Sequence, residues 1–285
     1  MKAALYPNFQ KKNALCCARE ACDVLSSTGI EVCVCERFRS EFADKPAVKY
    51  EDISESAKDA DAVIAIGGDG TILRCAKHLM GTETKLLGIN TGTLGFMAGL
   101  EADQLEKLKL LKTGEYEVSD RMTLDVYIDI GGEKKVFTAM NEVCIKSVTS
   151  RICDFSVYSD DYLIGNYRAD GVLFSTPTGS TAYALSAGGP VIEPDLECIE
   201  MTQLCPHSLF SRATLFSACR RLKFVNTSSD RERLMSVSID GEQCVELMCG
   251  QSLCIVRGRN KIKFIDLIGN SFHESLCRKM MKPIK

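Results

Sequence analysis

The sequence lacks several features that mark whole classes of protein. No stretch of the 285 residues approaches the roughly 18 apolar residues of a membrane-spanning helix. No lysine- and arginine-rich cluster is present and the net charge is −3, so the basic surface of a nucleic-acid-binding protein is missing. Residues 1–7 turn polar too soon for a secretion signal. We therefore expect neither nucleic-acid nor membrane partners.

Cysteine is frequent but lacks the spacing of a disulfide or zinc framework. The 15 cysteines make up about 5% of the chain, below the roughly 8–10% of disulfide-stapled proteins, and their number is odd. No Cys-x-x-Cys occurs, and the chain has only three histidines. We expect reduced, mostly buried thiols that pack as small hydrophobic residues in the cytoplasm.

The first third of the chain alternates strand and helix patterns. Apolar and β-branched runs predict strands at residues 2–6, 30–35, 61–66 and 85–89. Helical spacing of Leu15, Ala18, Cys22 and Leu25 predicts a first helix, and weaker patterns predict helices over residues 54–60, 71–80 and 102–112. This alternation predicts a parallel sheet covered by helices.

The pattern changes near Glu115. Strict alternation over residues 122–130, a Gly131-Gly132 turn and a run at 135–140 predict a hairpin, and a second pair surrounds residues 160–161. Short strand patterns follow at 172–175, 213–216, 222–225, 234–239, 253–257 and 261–265. This predicts an all-β sandwich over residues 116–265. A helical pattern over 271–281 is expected to return to the first domain, which would comprise residues 1–115 and about 266–285.

Five residues between a predicted strand and a predicted helix form the sharpest motif. They are Gly67-Gly68-Asp69-Gly70-Thr71, at the carboxyl end of a predicted parallel strand, where open α/β sheets bind ligands. Glycine permits close approach of the backbone, and the helix N-terminus that follows suits phosphate. A carboxylate there repels phosphate unless it holds a metal or accepts a proton from an attacking hydroxyl, which favours a catalytic role. The alternative is a glycine-rich turn in which the carboxylate only caps the helix.

Two familiar nucleotide-binding motifs are missing. There is no Gly-Lys pair, which excludes a Walker-type phosphate loop. Leu73 stands where the third glycine of Gly-x-Gly-x-x-Gly would follow Gly68 and Gly70, so a hydride-transfer dinucleotide site has no support.

Two later segments also follow predicted strands. NTGTLGF at residues 90–96 is expected to open on the same sheet edge as the GGDGT loop, unless it is an ordinary strand-to-helix connection. TPTGSTAYALSAGGP at residues 176–190 offers hydroxyls, a close-approach glycine and a tyrosine ring, which suit a sugar and a base. Its alternative interpretation is an N-capped helix with a packing face of small residues.

The order of these segments resembles the NAD kinase family. The shared set is GGDGT at 67–71, NTGTLGF at 90–96, NE at 141–142, RADG at 168–171 and TPTGSTAYALSAGGP at 176–190, followed by residues 205–212 and DGEQ at 240–243. GGDG alone also occurs in lipid kinases and phosphofructokinases, whereas the TPTGSTAY segment is far more specific. The resemblance covers residues 60–245, with a looser fit outside.

The resemblance implies both an architecture and a reaction. The architecture is an α/β domain, Rossmann-like or phosphofructokinase-like, plus a β-sandwich, with the active site between them. The reaction transfers the γ-phosphoryl group of ATP to the 2′-hydroxyl of the adenosine ribose of NAD, with Asp69 as proton acceptor. Mg²⁺ would be held mainly by the ATP phosphates, with no protein residue assigned as a metal ligand. A homodimer or homotetramer is implied as well.

The same resemblance implies which residues bind the nucleotides. The glycines of GGDGT would lie near the donor phosphates, and the NE pair would hold the dinucleotide. The arginines among them can equally be solvated surface residues. The expected binding residues are Gly67, Gly68, Gly70, Thr71, Arg74, Asn141, Glu142, Arg151, Arg168, Asp170, Thr181, Ala182, Tyr183, Ala184, Leu185, Ser186 and Gln243.

Two other functions stay open at this point. A lipid kinase would share GGDG and the domain layout, but neither an amphipathic anchor nor a basic cluster is visible in the sequence. A non-catalytic dinucleotide sensor would share the binding segments. The presence of Asp69 among intact glycines argues against a sensor.

Overall fold

The chain forms two compact units in a computed structural model that describes residues 1–92, 95–149, 151–229, 234–269 and 271–280. Unit 1 comprises Met1–Asp120 with Ile262–Lys285, and unit 2 comprises Arg121–Lys261. The sequence-based expectation was residues 1–115 with about 266–285 for the first domain and 116–265 for the second. Three residues of predicted segments lie outside the described residues: Thr93 and Leu94 of the NTGTLGF segment, and Met281 at the end of the predicted last helix.

Strands dominate unit 2, and strands alternate with helices in unit 1. The strands are β1 (Lys2–Pro7), β2 (Glu31–Val34), β3 (Lys49–Tyr50), β4 (Ala62–Gly67), β5 (Lys85–Asn90), β6 (Leu100–Glu101), β7 (Glu117–Arg121), β8 (Leu124–Ile130), β9 (Glu133–Ala139), β10 (Glu142–Ser147), β11 (Cys153–Ser159), β12 (Tyr162–Ala169), β13 (Gly171–Ser175), β14 (Cys198–Leu204), β15 (Thr214–Ser217), β16 (Leu222–Asn226), β17 (Met235–Ile239), β18 (Glu242–Leu247), β19 (Ser252–Arg257) and β20 (Ile262–Asp266). The α-helices are α1 (Ala14–Ser27), α2 (Ile53–Asp59), α3 (Asp69–Leu79), α4 (Leu110–Thr113), α5 (Tyr183–Ser186) and α6 (Ser271–Met280), and 3₁₀ helices occupy Glu36–Phe42, Leu105–Lys109 and Thr178–Thr181. Within the described part of the chain, no helix is both long and apolar enough to cross a membrane.

The sheet of unit 1 has the strand order β3-β2-β1-β4-β5-β20-β7, with β6 beside β5. β1 pairs in parallel with both β2 and β4, and β4 pairs in parallel with β5. The order of the strands therefore reverses between β1 and β4. The prediction of a parallel α/β fold is confirmed, and in such sheets the ligand crevice opens at the carboxyl ends beside that reversal.

The strand and helix around the GGDGT loop form because of their apolar patterns. Every residue of β4 is buried, as expected for a parallel strand covered on both faces. α3 buries Ile72, Cys75 and Leu79, which share one helical face. α3 begins at Asp69, two residues before the predicted start, because Gly68 takes the extended backbone of the N-cap position.

Two helical predictions for unit 1 differ from the structure. Leu15 is 40% exposed, because Ala14 takes the inward position in the first turn of α1, whereas the other three predicted positions are buried. The helix predicted over residues 102–112 is a 3₁₀ helix followed by α4. Leu105, Leu108 and Leu111 are buried there, and their spacing of three matches the 3₁₀ period.

The prediction that the cysteines are mostly buried is wrong. Six of the 15 are buried, five are partly exposed and four are exposed. The buried ones face inward from their elements, as Cys17 does on α1, while Cys16 beside it points outward because neighbouring helix positions are rotated by about 100°. None of the 15, which all lie within the described ranges, forms a disulfide.

Unit 2 is a sandwich of two antiparallel sheets, as predicted. The sheets have the orders β15-β14-β13-β10-β17-β18 and β12-β11-β16-β19-β8-β9. Phe174 from the first sheet and Phe155 and Phe224 from the second share one buried cluster. The predicted hairpin turns are present, with Gly131 and Gly132 at positive φ between β8 and β9.

One predicted strand of the sandwich belongs to the other unit. The pattern at residues 261–265 forms β20, which pairs in parallel with β5 in unit 1. It cannot pair with β19 as a hairpin partner, because β16 and β8 already occupy both edges of β19. β10 and β14 were not predicted as strands. β14 contains the buried polar residues Glu200, Thr202 and Gln203, which break the apolar alternation expected of a strand.

Candidate active site

The GGDGT loop lies at the carboxyl end of β4, where the backbone is packed on one side and open on the other. A Cβ on Gly67 would overlap the side chain of Thr71, so this position requires glycine. Gly68 and Gly70 face open space, since a Cβ added to either would meet no atom within 4 Å. The loop therefore leaves room for a ligand to approach the peptide backbone at the first turn of α3.

The end of the NTGTLGF segment and the residue after it hold the carboxylate of Asp69. The backbone N–H of Phe96 donates to Asp69 Oδ2 at 2.9 Å, and that of Met97 donates to Oδ1 at 3.2 Å. Thr91 N donates to the carbonyl of Gly67 at 3.1 Å, which ties the two loops together. The predicted shared edge is thus present. Asp69 does not act as the helix cap, because the N-cap position is Gly68 and the carboxylate turns to residues 96 and 97.

Replacing Gly95 by Ala is expected to disturb Asp69. An added Cβ would lie 2.8 Å from Asp69 Cγ and closer still to Oδ1, so the carboxylate must move. We expect a loss in kcat of about 10- to 100-fold, since a displacement of about 1 Å at a reacting group costs that much. Steady-state assays check this. Gly92→Ala in the same loop is the control, because a Cβ there meets nothing within 4 Å, and equal losses in both variants would contradict the prediction.

In unit 2, Asp240 shapes the segment that contains Asn141 and Glu142. Its Oδ1 accepts the backbone N–H groups of Asn141 at 2.8 Å and Glu142 at 3.1 Å, and its Oδ2 accepts that of Met140 at 2.9 Å. Asp240 has φ 49, a left-handed conformation that Asp tolerates better than most residues. The sequence placed Asp240 in the DGEQ segment at 240–243 and gave no sign of this role.

Asn141 and Glu142 each present a buried polar atom without a partner. Asn141 is 9% exposed and Glu142 is 8% exposed, and neither Asn141 Oδ1 nor Glu142 Oε2 has a hydrogen-bond partner among the residues that the structure describes. Burial, with a smaller contribution from the charge of Asp240, raises the pKa of Glu142 to about 7. Unpaired buried polar atoms are costly in a folded protein, so a site that keeps two of them together is suited to a polar ligand.

Replacing Glu142 by Gln is expected to stabilise the protein at alkaline pH. The folded chain keeps Glu142 protonated up to a pKa of about 7, whereas its ordinary pKa is 4.5. Between pH 4.5 and about 7, Glu142 is ionised in the unfolded chain but still protonated in the folded one. The free energy of unfolding of the wild type therefore falls by up to about 3 kcal/mol as pH rises through this range, whereas the neutral amide of the variant does not titrate. Urea unfolding at pH 8 should show the variant more stable by up to that amount, with a difference below about 1 kcal/mol at pH 5.

The control for this pH dependence is the exposed residue Glu246, also in unit 2. The free energy of unfolding of Glu246→Gln should depend on pH in the same way as that of the wild type. A Glu142→Gln variant that loses stability equally at both pH values would show that the buried carboxyl is ionised in the folded protein.

The TPTGSTAY segment packs against the Asn141 backbone. Thr176 Oγ1 donates to Met140 O at 2.6 Å and Thr176 N donates to Asn141 O at 2.8 Å. Gly179 lies so close to the Asn141 carbonyl that a Cβ there would overlap it. Among the described residues of unit 2, Thr178 Oγ1 and Glu200 Oε2 are further buried polar atoms without a hydrogen-bond partner, and Thr178 belongs to this turn.

The three hydroxyls of this segment, on Thr178, Ser180 and Thr181, differ in their hydrogen bonds. Ser180 Oγ donates to Pro177 O at 2.7 Å and accepts from Ile192 N at 3.0 Å, so it holds the turn together. Thr181 Oγ1 donates to Thr178 O. Within the described ranges, the Thr178 hydroxyl is the one of the three without a hydrogen-bond partner.

The other predicted binding residues lie nearer the surface. In and beside α5, Tyr183, Leu185 and Ser186 are exposed, Thr181 and Ala182 are partly exposed and Ala184 is buried. Ala184 is the residue of this group that packs inward, as in the alternative interpretation of a packing face of small residues. Its carbonyl accepts the N–H of Gly189 at 2.9 Å.

The predicted arginines and two further polar residues are exposed. Arg168 lies 3.7 Å from Asp154, and Gln243 Nε2 donates to Glu246 at 3.4 Å. Arg151 and Asp170 are exposed, and the backbone N–H of Asp170 donates to Leu204 O at 3.0 Å. Within the described residues, these contacts do not reach Asn141 or Glu142. In unit 1, Arg74 is exposed one turn into α3.

The chain is similar to proteins of known activity over nearly its whole length. Residues 4–116 match the model of the ATP-NAD kinase N-terminal domain, and residues 140–267 match that of the C-terminal domain. The NAD kinase of Acetivibrio thermocellus is 34% identical over 98% of this chain and 97% of its own. The NAD kinase of Thermococcus kodakarensis is 36% identical over 93% of this chain and 94% of its own.

Two solved structures share the fold. The yeast NADH kinase in complex with NADH superimposes with a TM-score of 0.88 at 22% identity, and covers 100% of this chain and 89% of its own. The NAD kinase from Archaeoglobus fulgidus in complex with ATP has a TM-score of 0.74 at 22% identity, and the match covers 99% of this chain and 100% of its own.

A parallel α/β unit with GGDGT at the strand-order reversal, followed by a β-sandwich and matched by kinase family models, is that of a phosphotransferase that acts on nucleotides. The chain belongs to the ATP-NAD kinase family. Membership confirms the predicted resemblance and the predicted activity, the ATP-dependent phosphorylation of NAD to NADP. It also decides against the lipid-kinase and sensor alternatives.

Proposed function

We propose that the chain transfers the γ-phosphoryl group of ATP to the 2′-hydroxyl of the adenosine ribose of NAD, with Asp69 as the proton acceptor. The observation that carries the role of Asp69 is its fixed carboxylate, held by the N–H groups of Phe96 and Met97 at the open edge of the sheet. As the oxygen–phosphorus bond forms, the hydroxyl proton passes to Asp69. The bond from the γ-phosphorus to the bridging oxygen breaks, which releases ADP.

Positioning is the main contribution of the protein in such a reaction. Two backbone N–H groups already orient the carboxylate before the substrate arrives, so little reorganisation is needed when the proton moves. The backbone beside Gly68 and Gly70 is open, which supports a place there for the donor phosphates. Thr71 and Arg74 follow on the first turns of α3 and would bind the same phosphates.

The dinucleotide would be held in unit 2. Three buried polar atoms support this, because none has a hydrogen-bond partner in the described part of the chain: Asn141 Oδ1, Glu142 Oε2 and Thr178 Oγ1. A ribose or amide group that hydrogen-bonds them would remove the cost of leaving them unpaired. Ala184 would pack beneath the exposed and partly exposed residues of the set. These would contribute at the rim and are Arg151, Arg168, Asp170, Thr181, Ala182, Tyr183, Leu185, Ser186 and Gln243.

Magnesium is expected to arrive with the donor nucleotide. Both carboxylate oxygens of Asp69 already accept backbone N–H groups, and no group of three or more His, Cys, Asp or Glu suited to a metal occurs within the described ranges. These residues fit an ion whose ligands are mostly phosphate oxygens and water. The bound ion would neutralise charge on the transferring phosphoryl group.

A homodimer or homotetramer in the cytoplasm is the expected setting. Leu209 and Phe210 are 92% and 88% exposed, a pair suited to burial against a second copy of the chain. The cysteines support a reducing compartment, because none of the 15 forms a disulfide.

Incubation of the protein with ATP, Mg²⁺ and NAD tests the proposed function. NADP is read with an NADP-specific dehydrogenase, and a known active kinase serves as the positive control. NADP should accumulate in proportion to enzyme. Its absence beside an active control would overturn the proposal.

A further inference from the structure

Phe96 and Met97 hold the carboxylate of Asp69, but they lie in a stretch of irregular backbone. Both residues are in bends between β5 and β6, outside the strands and helices. Their hydrogen bonds to Asp69 fix the carboxylate and the segment relative to each other, and leave the position of the pair in the molecule open. A catalytic group keeps its place only when the residues that hold it are themselves packed against the fold. The position of Asp69 therefore depends on what anchors residues 96 and 97.

Helix α6 supplies a contact at Phe96. The ring of Phe272, in the first turn of α6, has its centroid 6.4 Å from that of the Phe96 ring, and the two planes are tilted by 42°. This separation lies within the range in which aromatic rings attract each other. Both rings are half-buried, and both residues belong to unit 1. The side chain of Phe96 is thus packed against α6 while its N–H donates to Asp69.

Helix α6 is itself seated on unit 1 by one face. Phe272, Ser275 and Leu276 lie at positions i, i+3 and i+4, and Ser275 is buried whereas the two apolar side chains are half-buried. The helix faces residues 98–101 and Gln104 across a cavity of about 20 Å³, which has room for one water molecule. α6 therefore packs closely on the chain that directly follows Met97.

The same helix also acts on the beginning of the NTGTLGF segment. Asn90 Nδ2 donates to Glu101 Oε2 at 2.8 Å, and the N–H of Gly92 donates to Asn90 Oδ1 at 3.2 Å. Glu101 and Arg278 of α6 line the same small cavity. Burial raises the pKa of Glu101, whereas the hydrogen bond from Asn90 and the positive charge of Arg278 oppose this rise. α6 therefore contributes to both ends of the segment, through Glu101 at its beginning and through the Phe96 ring at its end.

We propose that Phe272 is a positioning residue for the phosphoryl transfer, because it anchors Phe96 and thereby fixes the carboxylate of Asp69. The inference rests on the proposed function, in which Asp69 accepts the proton. Without the Phe272 ring, residues 96 and 97 can shift toward the space that it leaves, and the carboxylate that they hold shifts with them. The rate of the chemical step then falls, while the residues proposed to bind ATP and NAD keep their places.

Replacing Phe272 by Ala should lower kcat about 5- to 20-fold, since a displacement of a fraction of an ångström at a reacting group has an effect of this size. KM for ATP and KM for NAD should change by less than about twofold. Phe272→Tyr keeps the ring at this half-buried position and should retain kcat within about twofold. Steady-state kinetics measure both variants. A rise in KM with kcat unchanged in Phe272→Ala would overturn the inference.

A double-mutant cycle shows whether Phe272 acts through Phe96. Phe96→Ala removes the other ring of the pair, so adding Phe272→Ala to that variant should lower kcat by less than about a further twofold. Losses that multiply in the double variant would mean that the two rings act independently, which contradicts the inference.

Two control variants separate this role from a general loss of stability. Tyr116→Ala removes a half-buried ring that packs on the core of unit 1, and Cys277→Ala changes an exposed position of α6. Both should keep wild-type kcat. A loss with Tyr116→Ala equal to that with Phe272→Ala would contradict the positioning role.

Amide hydrogen exchange gives a readout that does not need turnover. In Phe272→Ala, the N–H groups of Phe96 and Met97 should exchange about tenfold faster than in the wild type, and in the two control variants they should exchange at the wild-type rate. Unchanged exchange in Phe272→Ala would overturn the inference. If the wild type formed no NADP, the proposed function would fail, and the exchange rates alone would decide the inference.

Discussion

Replacing Asp69 by Asn should lower kcat by about 10²–10⁴-fold, the range for loss of a general base, with small changes in KM. The amide has nearly the same shape but cannot accept the hydroxyl proton. One of the two N–H donors, from Phe96 or Met97, would also face an amide nitrogen in place of a carboxylate oxygen. Both effects act on the reacting group and leave the nucleotide contacts elsewhere in place. Steady-state kinetics with ATP and NAD measure the effect.

The control for Asp69 is Asp52→Asn in the same unit. Asp52 accepts the N–H of Ser54 at 2.9 Å as the N-cap of α2, a position where Asn serves about as well as Asp. Asp52→Asn should therefore keep wild-type kcat and stability. An Asp69→Asn enzyme with near-wild-type turnover would remove Asp69 from the proton transfer.

Replacing Asp240 by Asn should raise KM for NAD at least about tenfold and lower the free energy of unfolding by about 2–3 kcal/mol. Asn tolerates the left-handed conformation, so the change isolates the carboxylate. Oδ1 can keep the N–H groups of Asn141 and Glu142, but the amide nitrogen would then face the N–H of Met140. Kinetics with each substrate and urea unfolding measure the two effects.

A second readout shows that Asp240 acts through the segment it holds. Because the charge of Asp240 contributes to the raised pKa of Glu142, the variant should shift the pH dependence of stability toward lower pH. Asp129→Asn is the matched control, since Asp129 accepts the N–H of Gly132 at 2.8 Å in an exposed hairpin turn. A loss of stability without a change in KM for NAD or in pH dependence would reduce Asp240 to a general structural role.

Local patterns predicted most of the elements. β4 and α3 are strongly periodic, and the turn residues at 131–132 lie where the chain reverses. The errors arose where several elements compete for the same partners. β20 has an ordinary strand pattern, but its place in unit 1 depends on β19 having both edges occupied, which no local pattern records.

In the candidate site too, some residues could be predicted from the sequence and others could not. The motif residues could be found from their spacing, because a glycine-rich loop after a buried strand has few other uses. The groups that orient them could not. Phe96 holds Asp69 and Asp240 holds Glu142 through hydrogen bonds across 27 and 98 positions of the chain, and side-chain spacing carries no signal of such contacts.

The order of residues along the chain was sufficient to identify the α/β and sandwich units, the GGDGT loop and the resemblance to NAD kinases, because these depend on periodicity and on short motifs. Only the tertiary structure decided that two backbone N–H groups hold Asp69, that burial keeps Glu142 protonated up to a pKa of about 7, and that Phe272 packs beside Phe96. Each of these depends on segments distant in sequence packing together, which sets burial and hydrogen-bond geometry and is not encoded in local spacing.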